Sequence, residues 1–211
     1  MPATQRLFAV IPAAGESRRM GRPKLLLPLA GKTVIARLLE ALAQPAISAR
    51  VVVVRSDDEP LRAAAATAGA TVVQPASPPP DMRASVACAL DEILRRYAPA
   101  DSDGWMLVPA DHPVLDRATI AGLLARWQTG LMKILVPTFG GRRGHPVLFR
   151  WELAREVADI PPDRGLDWLL ERHAADVIEL EVPDRSVLDD LDTPQDYDAL
   201  RRLYDKSDGG E

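Results

Sequence analysis

The sequence lacks the features that mark secreted, membrane-embedded or nucleic-acid-binding proteins. Its single cysteine, Cys88, excludes an intrachain disulfide. The apolar run near the N-terminus, Leu7–Ile11, is too short for a signal-peptide core and far too short to cross a membrane. The formal net charge is −4, and basic residues adjoin one another only in pairs, so the basic field typical of nucleic-acid binders is missing. We therefore expect a cytoplasmic protein with no membrane or nucleic-acid partner, which binds small molecules or proteins.

Two common phosphate-binding motifs and the usual nucleophile constellations are also missing. Residues 31–33 read Gly-Lys-Thr, the end of a P-loop, but Leu26 occupies the position of its first glycine. The dinucleotide fingerprint counted from Gly15 fails because Ser17 replaces the second glycine. No Ser/His or Cys/His pairing typical of nucleophilic catalysis is recognisable. These gaps count against a P-loop enzyme and against an NAD(P)-dependent oxidoreductase.

Short β-rich runs alternate with helical stretches along the chain. Strands are predicted at 7–11, 50–54, 71–74, 105–108, 134–136, 147–149 and 177–181, and helices at 33–43, 59–68, 83–97, 117–127, 152–158, 166–173 and 194–204. The alternation predicts an α/β protein of three layers, in which helices cover both faces of a mainly parallel, Rossmann-like sheet. The length of 211 residues fits one domain, placed at 1–205, followed by a flexible tail at 206–211.

A glycine- and arginine-rich loop, 12–28, follows the first predicted strand. Ligands of open α/β sheets bind beyond the carboxyl ends of the strands, so this loop is in a position to contact one. Its glycines let backbone N–H groups approach a phosphate, and its hydroxyl and cationic side chains suit phosphate oxygens. The residues with these properties are Gly15, Ser17, Arg18, Arg19, Gly21, Arg22 and Lys24. The alternative interpretation is a basic surface loop with turn glycines.

The whole string of this loop, A-A-G-x-S-x-R-M-G-x-x-K-x-L-L-P-L, resembles the signature of the molybdenum cofactor nucleotidyltransferase superfamily, and especially that of the CTP:molybdopterin cytidylyltransferases. The resemblance extends from Val10 to about Leu200. It implies a three-layer, Rossmann-like nucleotidyltransferase fold whose first loop holds a nucleoside triphosphate. The residues it assigns to the nucleotide here are Ala13, Ala14, Gly15, Ser17, Arg19, Gly21 and Lys24. Lys24 and Arg19 are also predicted to be catalytic, Lys24 by neutralising charge on the reacting phosphates.

Two aspartates are candidate ligands for Mg²⁺. Asp111 follows the predicted strand 105–108, and Asp192 precedes Thr-Pro at the start of the last helix. Mg²⁺ binds one or two carboxylates and completes its shell with phosphates and water. Both aspartates could instead cap a turn or a helix. The superfamily has metal-binding Asp-x-Pro and Asp-Thr-Pro segments at these places, so the resemblance assigns Asp111 and Asp192 to the metal and Asp111 also to catalysis, with Asp190 as the alternative to Asp192.

A further resemblance concerns the nucleotide base. Relatives have a glycine-containing stretch ending in Ser-Leu that contacts the base, and Ser85 aligns with its serine. Asp81 or Met82 stands where many relatives have glycine. The resemblance therefore assigns Ser85 to the nucleotide and leaves the identity of the base open. A proline-rich loop with Asp81 capping the next helix is the alternative.

Residues 140–146, Gly-Gly-Arg-Arg-Gly-His-Pro, resemble the Gly-x-Arg-Gly-His-Pro of molybdopterin cytidylyltransferases. The resemblance assigns Arg143, Gly144 and His145 to the acceptor. An arginine together with a ring that stacks or forms hydrogen bonds suits an anionic, phosphorylated, pterin-like heterocycle. A tight hairpin with solvated arginines is the alternative.

The resemblance implies transfer of a nucleoside monophosphate, with CMP from CTP favoured, to the terminal phosphate of a molybdopterin-type acceptor, with release of pyrophosphate. A phosphate is itself a nucleophile, so no general base is required, in agreement with the missing nucleophile constellation. The alternatives are another nucleotide such as GTP, another phosphorylated acceptor, or a non-catalytic protein that delivers the cofactor to a molybdenum hydroxylase. Intact Lys24, Asp111 and Asp192 count against the delivery protein.

Overall fold

The computed structural model describes residues 5–113, 115–130 and 132–207. Its strands are β1 Leu7–Pro12, β2 Pro28–Leu29, β3 Lys32–Thr33, β4 Ile47–Val53, β5 Thr71–Val73, β6 Gly104–Leu107, β7 Ile134–Phe139, β8 Arg142–Arg143, β9 Val147–Arg150 and β10 Val177–Glu181. Its α-helices are α1 Val34–Ala41, α2 Glu59–Thr67, α3 Met82–Tyr97, α4 Arg117–Gln128, α5 Asp167–Arg172 and α6 Pro194–Ser207. Helix α6 thus continues past residue 205, and 208–211 of the predicted tail lie outside the described residues.

The main sheet has the strand order β10-β7-β9-β6-β1-β4-β5, with β8 paired to β7. Strands β5, β4, β1 and β6 run parallel to one another, and β10 runs parallel to β7. Strand β9 is antiparallel to both of its neighbours, β6 and β7. The prediction of a mainly parallel sheet is confirmed, with β9 and the short β8 as its antiparallel members.

Two apolar cores lie on opposite faces of this sheet. Alternate residues of β1 point to opposite faces, so Leu7 and Ile11 belong to one core and Phe8 and Val10 to the other. Helices α1, α2, α4 and α6 contribute to the first core, and α3 and α5 to the second. The predicted three-layer arrangement is confirmed. Among the residues described, no helix combines the length and apolarity needed to cross a membrane.

One predicted helix is of the 3-10 type. The segment Trp151–Asp159 follows β9 directly and covers the second core. Trp151, Leu153, Ala154, Val157 and Ile160 pack into that core. Their spacings of three and four residues fit a helix of either period, so the pattern predicts a helix at 152–158 but does not show that it is of the 3-10 type.

Candidate active site

An open cleft of about 520 Å³ lies at the carboxyl ends of β1, β4 and β6. The loop after β1, the proline-rich residues 78–80, the start of α3 and residues 109–111 after β6 line it, together with Asp192. Open α/β sheets bind their ligands at this end of the strands. The cleft is therefore the candidate active site.

The loop after β1 folds tightly around Ser17. The backbone N–H groups of Met20 and Gly21 each donate to the Ser17 carbonyl at 3.1 Å, and the Lys24 N–H donates to Ser17 Oγ at 3.3 Å. Gly21 has a φ of 68°, which glycine adopts without strain. Met20 and Leu25 are buried and anchor the loop on the first core. This geometry directs the Lys24 side chain into the cleft.

The Lys24 ammonium joins two carboxylates that are far apart in the sequence. Its Nζ lies 2.7 Å from Asp111 Oδ2 and 2.9 Å from Asp192 Oδ1. Arg19 Nη2 lies 2.8 Å from the other oxygen of Asp192. Burial alone would lower the pKa of Lys24, but the charges and hydrogen bonds of Asp111 and Asp192 outweigh it and raise the pKa above its usual value. Lys24 is therefore charged at neutral pH.

Neighbouring contacts hold the two carboxylates in place. The Leu191 N–H donates to the Asp111 carbonyl at 2.8 Å, which ties the segment before α6 to the end of β6. Asp196 accepts hydrogen bonds from the backbone N–H groups of Asp192 and Thr193 at 3.1 and 2.7 Å. Asp196 thereby holds the turn before α6, and the Thr193 hydrogen bond lowers its pKa. The Asp192 carboxylate is thereby left to face Lys24.

The donor set fits a cation that shares its shell with phosphates. The side chains of Asp111 and Asp192 are 25% and 22% exposed, so both are reachable from the cleft. Within 5–113, 115–130 and 132–207, no group of three or more His, Cys, Asp or Glu side chains is arranged to hold a metal by itself. Two carboxylates with water and nucleotide phosphates are a typical environment for Mg²⁺.

The predicted nucleotide residues lie mostly along this cleft. Ala13, Ala14, Gly15, Ser17, Arg19, Lys24 and Ser85 line it. Gly21 does not, and closes the turn of the loop behind it. Ser85 is buried at the start of α3 and donates from Oγ to the Asp81 carbonyl at 3.2 Å, while the Asp81 carboxylate caps that helix. Asp81 thus caps α3, as the alternative interpretation predicted, and Ser85 nevertheless lines the cleft.

The three predicted acceptor residues are placed differently from one another. His145 does not line the cleft itself but lies close to its aspartate side, because its ring centroid is 5.2 Å from that of His112, the residue after Asp111. Burial, followed by the proximity of His112, lowers the pKa of His145 to about 4, so its imidazole is neutral at pH 7. Gly144 is buried between Pro137 and Val187, and does not line the cleft. Arg143 lies on β8 outside the cleft, half exposed, and is paired with Glu179 at 2.7 Å.

Arg55 is a cleft residue that the sequence did not reveal. It follows β4 and lines the cleft between the first loop and residues 78–82. Its Nε donates to Asp57 at 3.0 Å, and its carbonyl accepts from Gln74 Nε2 at 3.0 Å. No motif contains it, so only its place directly after a buried strand could have pointed to it.

The cleft lies at the ends of parallel strands, and it combines a phosphate-type loop with a lysine between two carboxylates. These features define a nucleotidyltransferase site in an α/β protein. The family of MobA-like NTP transferase domains matches residues 9–177. The chain belongs to this family and is a nucleotidyltransferase, as its resemblance to the molybdenum cofactor nucleotidyltransferase superfamily implied.

Individual relatives agree with this assignment. The chain is 29% identical over 209 residues to the purine catabolism protein PucB of Bacillus subtilis, an alignment that covers 93% of this chain and 96% of PucB. It is 37% identical over 120 residues to the 2-C-methyl-D-erythritol 4-phosphate cytidylyltransferase of Pseudomonas aeruginosa, which covers 56% of this chain and 50% of that enzyme.

Solved structures show the same fold. Rv0371c from Mycobacterium tuberculosis superposes with a TM-score of 0.76 at 29% identity, covering 94% of this chain and 99% of that one. A manganese complex of the same protein gives 0.75. A CMP:2-keto-3-deoxy-manno-octonic acid synthetase complexed with CTP gives 0.76 at 15% identity, a likeness that concerns the fold alone.

Proposed function

We propose that the protein transfers CMP from CTP to the terminal phosphate of a molybdopterin-type acceptor, using Mg²⁺ and releasing pyrophosphate. The observation that carries the proposal is the position of Lys24 between Asp111 and Asp192 inside the cleft. Membership of the MobA-like family, together with the resemblance of residues 140–146 to molybdopterin cytidylyltransferases, supports the molybdenum cofactor as acceptor. The similarity to a cytidylyltransferase supports CTP as donor. A cytoplasmic location and a molybdenum hydroxylase as downstream partner remain predictions.

The side chains of the cleft act by binding and by charge. The N–H groups and hydroxyl of residues 15–17 hold the triphosphate, and Lys24 and Arg19 neutralise the charge on its phosphates. Mg²⁺ held by Asp111 and Asp192 would supply further neutralisation when bound. The acceptor phosphate attacks the α-phosphorus in line, the bond to the β-phosphate oxygen breaks, and pyrophosphate leaves. Positioning and charge stabilisation therefore account for the rate without a general base.

The acceptor is expected beside His145. Its neutral imidazole can stack on a heterocycle or exchange a hydrogen bond with it at pH 7. Arg143 can contribute only if its ion pair with Glu179 opens, since the pair now directs its guanidinium towards β10. We therefore propose His145 as the main acceptor contact and Arg143 as a second contact made after the acceptor binds.

The test is pyrophosphate release in the presence of Mg²⁺ with each of the four NTPs, with and without molybdopterin. Release that requires both CTP and molybdopterin is the expected result. Release with another NTP would support the proposed reaction and change the assigned nucleotide base. CTP binding without release under any pairing would contradict the proposed enzyme and favour a protein that delivers the cofactor.

A further inference from the structure

Three of the four carboxylate oxygens of Asp111 and Asp192 are already engaged by cationic groups of the protein. Lys24 Nζ contacts one oxygen of each carboxylate, at 2.7 and 2.9 Å. Arg19 Nη2 contacts the second oxygen of Asp192 at 2.8 Å. The Lys24 side chain is only 15% exposed, and its ammonium contacts both acids. Lys24 therefore stands between the two groups that are proposed to bind the metal.

We infer that Lys24 is a built-in counter-ion that blocks the metal site until a nucleotide binds, so that the divalent cation and the NTP enter together. The inference deepens the proposed function, and rests on it in placing the cation at Asp111 and Asp192. It concerns the order in which ligands occupy the site, which the proposed reaction leaves open.

The physical basis is competition for the same oxygens. A divalent ion placed between the two carboxylates would lie against the ammonium of Lys24, and like charges at such distances repel strongly. Without nucleotide, Lys24 has no other anionic partner among the described residues as good as these two carboxylates. A bound triphosphate gives Lys24 and Arg19 new anionic partners, which frees the carboxylate oxygens. It also brings phosphate oxygens that complete the shell of the ion.

The inference requires positive and reciprocal coupling between metal and nucleotide. If CTP raises the affinity for the metal by some factor, the metal must raise the affinity for CTP by the same factor. Part of that factor arises from direct contact between metal and phosphate, and removal of Lys24 does not abolish this part. The rest of the coupling factor arises from displacement of Lys24, and we expect it to be lost when the Lys24 charge is removed.

Arg18 offers a matched control for a change of charge. It lies on the same loop and lines the same cleft. Its side chain is 85% exposed and pairs with Glu16 at 2.6 Å, away from the two aspartates. Arg18→Met and Lys24→Met each remove one positive charge and leave an unbranched apolar side chain, but only the second frees one oxygen of Asp111 and one of Asp192.

The experiment measures Mn²⁺ binding to the acceptor-free protein by the electron paramagnetic resonance signal of free Mn²⁺, with and without CTP, and subtracts the Mn²⁺ that CTP binds in protein-free solution. We expect weak binding to wild type alone, at least about tenfold tighter binding to Lys24→Met alone, and no gain in Arg18→Met. Asp111→Asn added to Lys24→Met should remove the gain, which would locate the ion. Equal Mn²⁺ affinity of wild type with and without CTP would overturn the inference, and this comparison needs no variant. Equal affinity of wild type and Lys24→Met would overturn it as well.

Failure of this inference can be told apart from failure of the proposed function. If Lys24→Met binds Mn²⁺ more tightly but wild type releases no pyrophosphate, the counter-ion role of Lys24 is supported and the proposed reaction is rejected. If wild type releases pyrophosphate but binds Mn²⁺ equally well with and without CTP, the proposed reaction is supported and the counter-ion role of Lys24 is rejected. Absence of Mn²⁺ binding in every protein, with CTP present, would reject the metal assignment and the counter-ion together.

Discussion

Lys24 is the residue on which the charge balance of the cleft depends, because it contacts both proposed metal ligands. Removal of one preorganised donor that stabilises charge in the transition state typically slows a reaction about 10²–10³-fold, or about 3–4 kcal/mol. We expect Lys24→Ala to lose that much in the rate of pyrophosphate release, and Asp111→Ala at least as much. Arg18→Ala should keep most of the rate, since among the described residues the Arg18 side chain pairs with Glu16 and not with the aspartates. Wild-type turnover in Lys24→Ala would contradict the assignment of Lys24 to the active site.

Another residue-scale prediction concerns stability in acid. Asp103 is buried and accepts hydrogen bonds from the backbone and side chain of Arg6 and from the Ala100 N–H. Burial alone would raise the pKa of Asp103, but these hydrogen bonds outweigh it and lower the pKa below the usual value. The folded protein therefore binds this proton less readily than the unfolded chain. The stabilisation by Asp103 is complete above the usual aspartate pKa, about 4, and is lost as the pH falls through the lower folded value.

Asp103→Asn tests this effect. The amide keeps the shape of the side chain but loses the charge and one acceptor, so we expect a loss of about 1–3 kcal/mol in the free energy of unfolding at pH 7. The difference from wild type should shrink below about pH 4, where the unfolded aspartate is protonated. Urea unfolding at pH 7 and at pH 3 measures both values. A difference that does not depend on pH would contradict the role of the charge.

The sequence reveals some of these residues and hides others for a physical reason. Lys24, Asp111 and Asp192 stand in compact motifs, so resemblance locates them although 87 and 168 positions separate Lys24 from the two acids. Arg55 stands in no motif, and its place in the cleft depends on the order of the strands. Contacts that tertiary geometry sets, such as those of Arg55, leave no local trace in the sequence. Asp196 does have a local signal, because Thr193-Pro-Gln-Asp196 forms a capping box: Asp196 accepts from the Thr193 N–H, and Thr193 Oγ1 accepts from the Asp196 N–H.

At the scale of elements, the segment from β7 to β9 shows what a local pattern can and cannot predict. The sequence predicts strands at 134–136 and 147–149 with a glycine-rich turn between them. The structure extends β7 to Phe139 and returns it through Gly140 and Gly141, both with positive φ, into β8. The apolar runs locate the strands, but they do not show that β9 inserts between β6 and β7. The position of β9 depends on how strands pair across the sheet, which a local pattern does not contain.

Gly144 connects this segment to the loop before α6. A Cβ at this position would lie 2.9 Å from the carbonyl carbon of Val187, too close for any side chain. We expect Gly144→Ala to destabilise the protein by about 1–3 kcal/mol, because backbone on both sides must move. Gly122→Ala is the matched control: Gly122 is exposed within α4, and a Cβ there meets nothing within 4 Å, so alanine should stabilise by about 1 kcal/mol. Thermal unfolding of the two variants should shift in opposite directions. Equal shifts would contradict the close packing at Gly144.

At the scale of the whole molecule, the central feature is that both cores share one sheet. Residues of β1 alternate between the two cores, so neither core can lose its sheet without exposing the other. This arrangement favours the single domain predicted at 1–205 and one cooperative unfolding transition. The sequence predicts the layers, because apolar strands and amphipathic helices alternate. It does not predict the order of the strands, which brings the loop after β1, the end of β6 and the start of α6 to one cleft.

Ligand binding at this cleft should therefore stabilise the entire molecule and not one part of it. A ligand that binds only the folded state at about 100 times its Kd adds about 2.7 kcal/mol. For a protein of this size that amount raises Tm by about 5–10 °C. We expect CTP with Mg²⁺ to produce such a shift in calorimetry while a single transition is retained, and NADH to produce none because the dinucleotide fingerprint is missing. Lys24→Met should reduce the shift, since the triphosphate loses its main counter-charge. Two separate transitions would contradict the shared sheet as the unit of cooperativity, and a shift with NADH would contradict the nucleotide specificity.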